Sequence, residues 1–141
     1  MIAGPRYVFD TGALIKLERQ DRRLIRLVEH IRRGRARAVV PRVVIAEVWR
    51  GGSRQAHLAR LLRLAEAPAT EQLTIDELTP DRARQIGKKI GECGHDDIVD
   101  VNVALCARNQ VTGAVDAVVL TADRSDILRV DPDLHPAIVD V

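Results

Sequence analysis

The chain has 141 residues, 46% hydrophobic and 30% charged, with a net charge of +2, which is the size and make-up of one globular domain spanning residues 1–141. No apolar run approaches the ~18 residues a membrane-spanning helix needs, and Cys93 and Cys106 are too few for a disulfide framework, so the expectation is a cytoplasmic protein with no membrane contact. Aromatic residues are 2% of the chain, which excludes RNA recognition by platforms of exposed rings.

The first apolar run, Tyr7-Val8-Phe9, reads as a strand that stops at Asp10. Ala13, Leu14 and Leu17 then recur at helical spacing to about residue 19. Two readings of Asp10 stay open at this point. It can cap that helix, a job Thr11 can share, or it can be a carboxylate placed for chemistry, since open α/β sheets bind ligands beyond the carboxyl ends of their strands.

Asp21 caps a second helix, in which Leu24, Ile25, Leu27, Val28 and Ile31 form one face until Gly34 ends it. The opposite face carries Arg22, Arg23, Arg26, Arg32 and Arg33, either a solvated face or a phosphate-binding one. Residues 36–40 read as a buried strand. Pro41 suits the first turn of an apolar helix over residues 43–50 that holds a single acid, Glu47, and ends at Gly51-Gly52. Ser53 caps the next helix, with Leu58, Leu61, Leu62 and Ala65 along one side. A short strand over residues 72–75 precedes a Thr79 cap with Pro80 at the first helical position, and that helix runs to about residue 92.

Gly94-His95 breaks the chain before a further helix that starts at Asp96-Asp97 and continues to Ala107, with Asp96 as the expected N-cap. Residues 116–120 form the clearest strand, then come Thr121-Ala122-Asp123, a helical turn over residues 127–129 and a last strand near residues 137–139. Strands alternating with helices imply right-handed βαβ units. The expected fold is an α/β/α sandwich with a mostly parallel central sheet.

Charge is unevenly spread: residues 1–70 hold 15 Lys and Arg against 6 Asp and Glu, leaving 7 against 14 in residues 71–141. A basic half of this kind points to a polyanion partner such as nucleic acid. The acids fall at informative places. Asp10 and Asp123 follow strands, Glu47 sits on an apolar helix, and Asp97 and Asp100 share one face of a helix start. Asp100 lies too far into its helix to be a cap. Carboxylates gathered without bases need a cation to stay ionised, and an all-oxygen set suits Mg²⁺, or Mn²⁺, rather than zinc. His30, His57, His95 and His135 show no zinc-ligand spacing with one another or the cysteines. Metal-dependent phosphodiester hydrolysis is the reaction class that uses such a set. No Gly-rich phosphate loop follows a strand.

Four segments, Val8-Phe9-Asp10-Thr11-Gly12-Ala13-Leu14, Val44-Ile45-Ala46-Glu47-Val48, Asp97-Ile98-Val99-Asp100-Val101-Asn102-Val103-Ala104 and Val119-Leu120-Thr121-Ala122-Asp123, together resemble a PIN-domain ribonuclease of the VapC toxin type. The resemblance implies a PIN-like fold and an acidic pocket for Mg²⁺ or Mn²⁺. Asp10, Glu47, Asp100 and Asp123 would be its catalytic acids, with Asp10, Asp100 and Asp123 on the metal and Thr11 and Asp97 in support. It also implies RNA cleavage, a homodimer, and a cognate antitoxin whose tail covers the active site. Two other readings compete: a PIN fold that binds RNA or a partner without cutting, and a signalling receiver domain. The second lacks an acidic pair after the first strand, an Asp ending a middle strand, and a Lys after a late strand.

Overall fold

The computed structural model describes residues 4–141. Five short strands form its sheet: β1 (Arg6–Phe9), β2 (Arg37–Pro41), β3 (Leu73–Asp76), β4 (Val118–Thr121) and β5 (Ile138–Asp140). Their order is β3-β2-β1-β4-β5, and every pairing is parallel. The helices are α1 (Thr11–Glu18), α2 (Arg22–Arg32), α3 (Arg42–Val48), α4 (Ala56–Glu66), α5 (Pro80–Cys93), α6 (Ile98–Cys106) and α7 (Arg124–Val130). From β1 the chain steps outward through β2 to β3, then returns to the other side of β1 for β4 and β5. Right-handed crossovers therefore put α1–α4 on one face and α5–α7 on the other. The expected α/β/α sandwich is the one observed.

The strands are short and apolar because both faces are covered. Val8, Val40, Leu73 and Val119 are wholly buried between the helical layers, with Leu14, Leu58 and Leu61 on one side and Val101, Val103 and Ile127 on the other. Local signals set most helix ends. Thr79 accepts the Arg82 N–H at 3.0 Å, with Pro80 opening the helix, and Gly94 closes α5 in the left-handed region at φ 74°.

Several boundaries differ from the sequence reading. Pro41 is the last residue of β2 rather than the first of α3, and α3 stops at Val48. Ser53 opens a short 3-10 turn, Ser53–Gln55, and α4 starts at Ala56. Asp97, not Asp96, caps α6, accepting the Asp100 N–H at 3.0 Å; Asp96 lies exposed. The expected turn over residues 127–129 is a full helix, α7, that begins directly after Asp123.

Candidate active site

The strand order reverses between β1 and β4, and this is the point at which a doubly wound sheet opens a crevice beyond its carboxyl edge. Asp10 stands immediately after β1 and Asp123 two residues after β4. Backbone pairing brings them together across more than 100 residues of sequence: the Asp10 N–H donates to the Leu120 carbonyl at 3.1 Å.

Asp10 is 3% exposed and has two tasks. One carboxylate oxygen accepts the Thr11 N–H at 2.7 Å and caps α1. The other accepts the hydroxyl of Thr121 at 2.6 Å. Asp10 therefore caps α1 and at the same time stands among the acids at the switch point, so the two readings do not compete. Thr11 takes no share in the capping; its hydroxyl instead donates to Glu47 Oε1 at 2.7 Å. Burial raises the Asp10 pKa above the ordinary 3.8; the Thr121 and Thr11 hydrogen bonds pull it down, and the charges of Asp123 and Glu47 push it up.

Asp100 lies in the first turn of α6 and is 8% exposed. Its pKa is pushed up to about 6, chiefly by burial; a hydrogen bond to His95 lowers it, while Asp97, Asp10 and Asp126 add like charge. The position of α6 is itself pinned. Asn102, wholly buried two residues after Asp100, donates to Asp76 Oδ2 at 2.9 Å, and Asp76 at the end of β3 takes a bidentate pair from Arg82 at 2.8 and 3.0 Å.

Glu47, Asp97 and Asp123 are exposed at the rim, and Asp126 is half-buried on the first turn of α7. The helix that carries Glu47 buries Val44, Ile45 and Val48 as its apolar sequence requires, but Glu47 itself faces outward. Asp97 supports by holding the backbone of Asp100. Basic partners are scarce. Within the cluster, among the described residues, Asp100 contacts His95 at 2.8 Å and Asp126 approaches Arg129 at 4.0 Å.

Two contributors were not singled out in the sequence. Thr121, wholly buried, bridges the two strand ends: it donates to Asp10 and accepts the Asp123 N–H at 2.9 Å. Its signal was a hydroxyl closing an apolar strand. His95 reaches back to Asp100 from the loop after α5, and His95, Asp100 and Asp126 offer ligand atoms all within 4.8 Å of one another. Gly12 lets the strand ends close up, since a Cβ there would lie 2.8 Å from the Ala122 Cβ and 3.0 Å from its nitrogen.

Buried carboxylates whose pKa values are raised by desolvation first and by neighbouring acids second, with few bases beside them, form a donor set that fits a divalent cation. Helices α1 and α6 also direct their N-terminal, positive dipole ends to this edge, which suits an anionic substrate. A search of curated proteins finds no significant match. A family model described as PIN domain matches residues 7–131, a span that takes in every acid of the cluster. PIN domains are generally nucleases. With that model covering most of its length and the acids standing at the β1/β4 switch point, the chain belongs to the PIN domain family.

Proposed function

We propose that this protein is a metal-dependent endoribonuclease that uses Mg²⁺, with Mn²⁺ as an alternative, and acts as the VapC-type toxin of a type II toxin–antitoxin pair. The observation that carries the nuclease reading is the gathering of Asp10 and Asp100, both buried and both with raised pKa values, beside Glu47, Asp123 and Asp126 at the switch point.

Asp10, Asp100 and Asp123 would hold the ion. When bound, it supplies a water of lowered pKa and neutralises charge on the phosphodiester. Glu47, steadied by the Thr11 hydroxyl, accepts a proton from the attacking water or orients it. Thr121 keeps the Asp10 carboxylate in one rotamer and fixes the backbone of Asp123 relative to it.

Support for the partners comes from charge and from one surface. Arginines crowd the first half of the chain, and α2 displays Arg22, Arg23 and Arg26 to solvent, as phosphate contacts require. A groove of about 690 Å³ between α1, α2 and α4 is floored by Leu17, Val28, Leu61 and Leu64 and edged by Arg60 and Arg63. Its chemistry suits an amphipathic antitoxin segment with acidic flanks. Trp49 is 42% exposed beside a second groove on α3 and α4, a surface fit for a homodimer or the same partner. No helix among the described residues is long and apolar enough to cross a membrane.

The test is cleavage of single-stranded RNA by purified protein in Mg²⁺. Asp10→Asn should cut at least ~100-fold more slowly. A variant as fast as wild type would refute the assignment, and RNA binding without turnover by wild type would favour a PIN fold that only binds.

A further inference from the structure

No spacing in the chain points to a nitrogen donor at the site, yet the fold places one there. His95 follows the left-handed Gly94 that ends α5, and its side chain is 13% exposed, turned inward against α6. Its Nε2 lies 2.8 Å from Asp100 Oδ2, with Asp126 completing a trio from the α5–α6 loop, α6 and α7. If His95 were only a structural partner for Asp100, the pair would be complete without a third group. Asp126 adds a second carboxylate, whose own basic neighbour, Arg129, stands off at 4.0 Å.

One spacing in the trio is that of neighbouring ligands in a coordination polyhedron. Neighbouring ligands on an octahedral ion with bonds of about 2.1 Å lie about 3 Å apart and opposite ones about 4.2 Å. The His95–Asp100 separation of 2.8 Å matches a shared edge. The outer limit of 4.8 Å needs only a small movement of Asp126, whose side chain is 40% exposed and so has room to make it.

We propose that His95 is an inner-sphere nitrogen ligand, forming with Asp100 and Asp126 a metal position that prefers a first-row transition ion such as Mn²⁺ over Mg²⁺. The inference rests on the metal-dependent reading above but is separable from it. Mg²⁺ is a hard ion served by oxygen and water, and it gains little from imidazole. Imidazole gives a transition ion more than it gives Mg²⁺, and Mn²⁺, which also accepts carboxylate and water oxygens, is the weakest-binding member of that series and so the strictest probe of it.

The test uses Mn²⁺ alone, without RNA. Electron spin-echo envelope modulation of the Mn²⁺-loaded protein should show coupling to ¹⁴N in wild type and in His57→Gln, and none in His95→Gln. Mn²⁺ affinity should fall about 10-fold or more in His95→Gln, against a smaller change for Mg²⁺. Asp126→Asn, at a half-buried position with little to unfold, should weaken the same nitrogen-coupled signal. Mn²⁺ bound without nitrogen coupling, coupling that survives in His95→Gln, or no Mn²⁺ binding at millimolar concentration would overturn the proposal. Should wild type cleave RNA in Mg²⁺ yet show no nitrogen coupling, the nuclease reading stands and this one falls; coupling without cleavage gives the reverse.

Discussion

In metal-free solution, Asp100→Asn should make the protein more stable at neutral pH while abolishing cleavage. The Asp100 pKa is raised from 3.8 to about 6, mainly by burial. At about 1.4 kcal/mol per pH unit, that gap corresponds to ~3 kcal/mol. The side chain keeps 12% exposure at the mouth of the site, and solvent screening there lowers the figure to about 2 kcal/mol. The sign follows from the raised value. The folded protein holds this proton more tightly than the unfolded chain does. The stability it contributes is fully present below pH 3.8 and is lost as pH rises through about 6. Asparagine carries no charge at any pH and still offers an oxygen to His95. Variant and wild type should therefore match at about pH 4 and diverge by about 2 kcal/mol at about pH 7.5, a gain of roughly 6–8 °C in Tm for a chain of this size. Urea denaturation in EDTA at both pH values measures the difference. Adding Mg²⁺ should then stabilise wild type, by mass action on the folded state, and leave Asp100→Asn nearly unmoved. A variant that is less stable at neutral pH, or that differs equally at both pH values, would refute the picture of a desolvated acid crowded by Asp97, Asp10 and Asp126.

Three further outcomes test the supports of the site. Thr121→Val keeps the shape but removes the donor 2.6 Å from Asp10; it should cost about 1.5–3 kcal/mol in urea denaturation at neutral pH and reduce cleavage. Gly12→Ala forces a Cβ to 2.8 Å from Ala122 and should lower stability by about 1–3 kcal/mol in a thermal melt, with a parallel loss of activity as the Asp123 loop is displaced. Thr11→Val loses only the exposed bond to Glu47; cleavage should drop while the unfolding free energy in urea changes by about 0.5 kcal/mol or less.

The layered fold was legible because its signals are local. Val8-Phe9, Val39-Val40 and Val119-Leu120 can only be short buried strands between helices, and the Thr79-Pro80 and Gly94 punctuation of α5 acts within a single turn. The end of β4 was harder to read. Asp123-Arg124-Ser125-Asp126 is as polar as a loop, and α7 is recognisable as a helix only once Ile127 and Val130 are buried. Asp96 and Asp97 are equally good caps by composition; the path of the chain out of Gly94 decides for Asp97. Asp10 and Asp100 stand out as candidates by their places in the chain, one at a strand end and one inside an apolar helix. Thr121 and His95 do not, since the partner of Thr121 lies 111 positions away and that of His95 depends on a loop folding back. No local pattern encodes either contact.

Where each acid stands in the fold divides the cluster into a fixed part and an adjustable one. Asp10 is tied to the sheet by its own N–H, by the α1 cap and by Thr121, and Asp100 is tied through Asp97 and through the Asn102–Asp76–Arg82 chain to the end of β3. His95 holds the Asp100 carboxylate itself, so the unfavourable energy of two buried carboxylates is held in the native state by contacts on both side chains. Glu47, Asp123 and Asp126 sit at the rim, where rotamers can change at little energetic cost. On the metal-dependent reading, the rigid pair sets where a cation binds and supplies the electrostatic drive to bind it, while the rim acids complete coordination or handle water once substrate arrives. A site built only from rim acids would bind weakly, because exposed carboxylates are already solvated. One built only from buried acids could not adapt as charge moves during cleavage. The parallel sheet supports both because its switch point leaves two strand ends side by side, with helices α1, α6 and α7 starting above them.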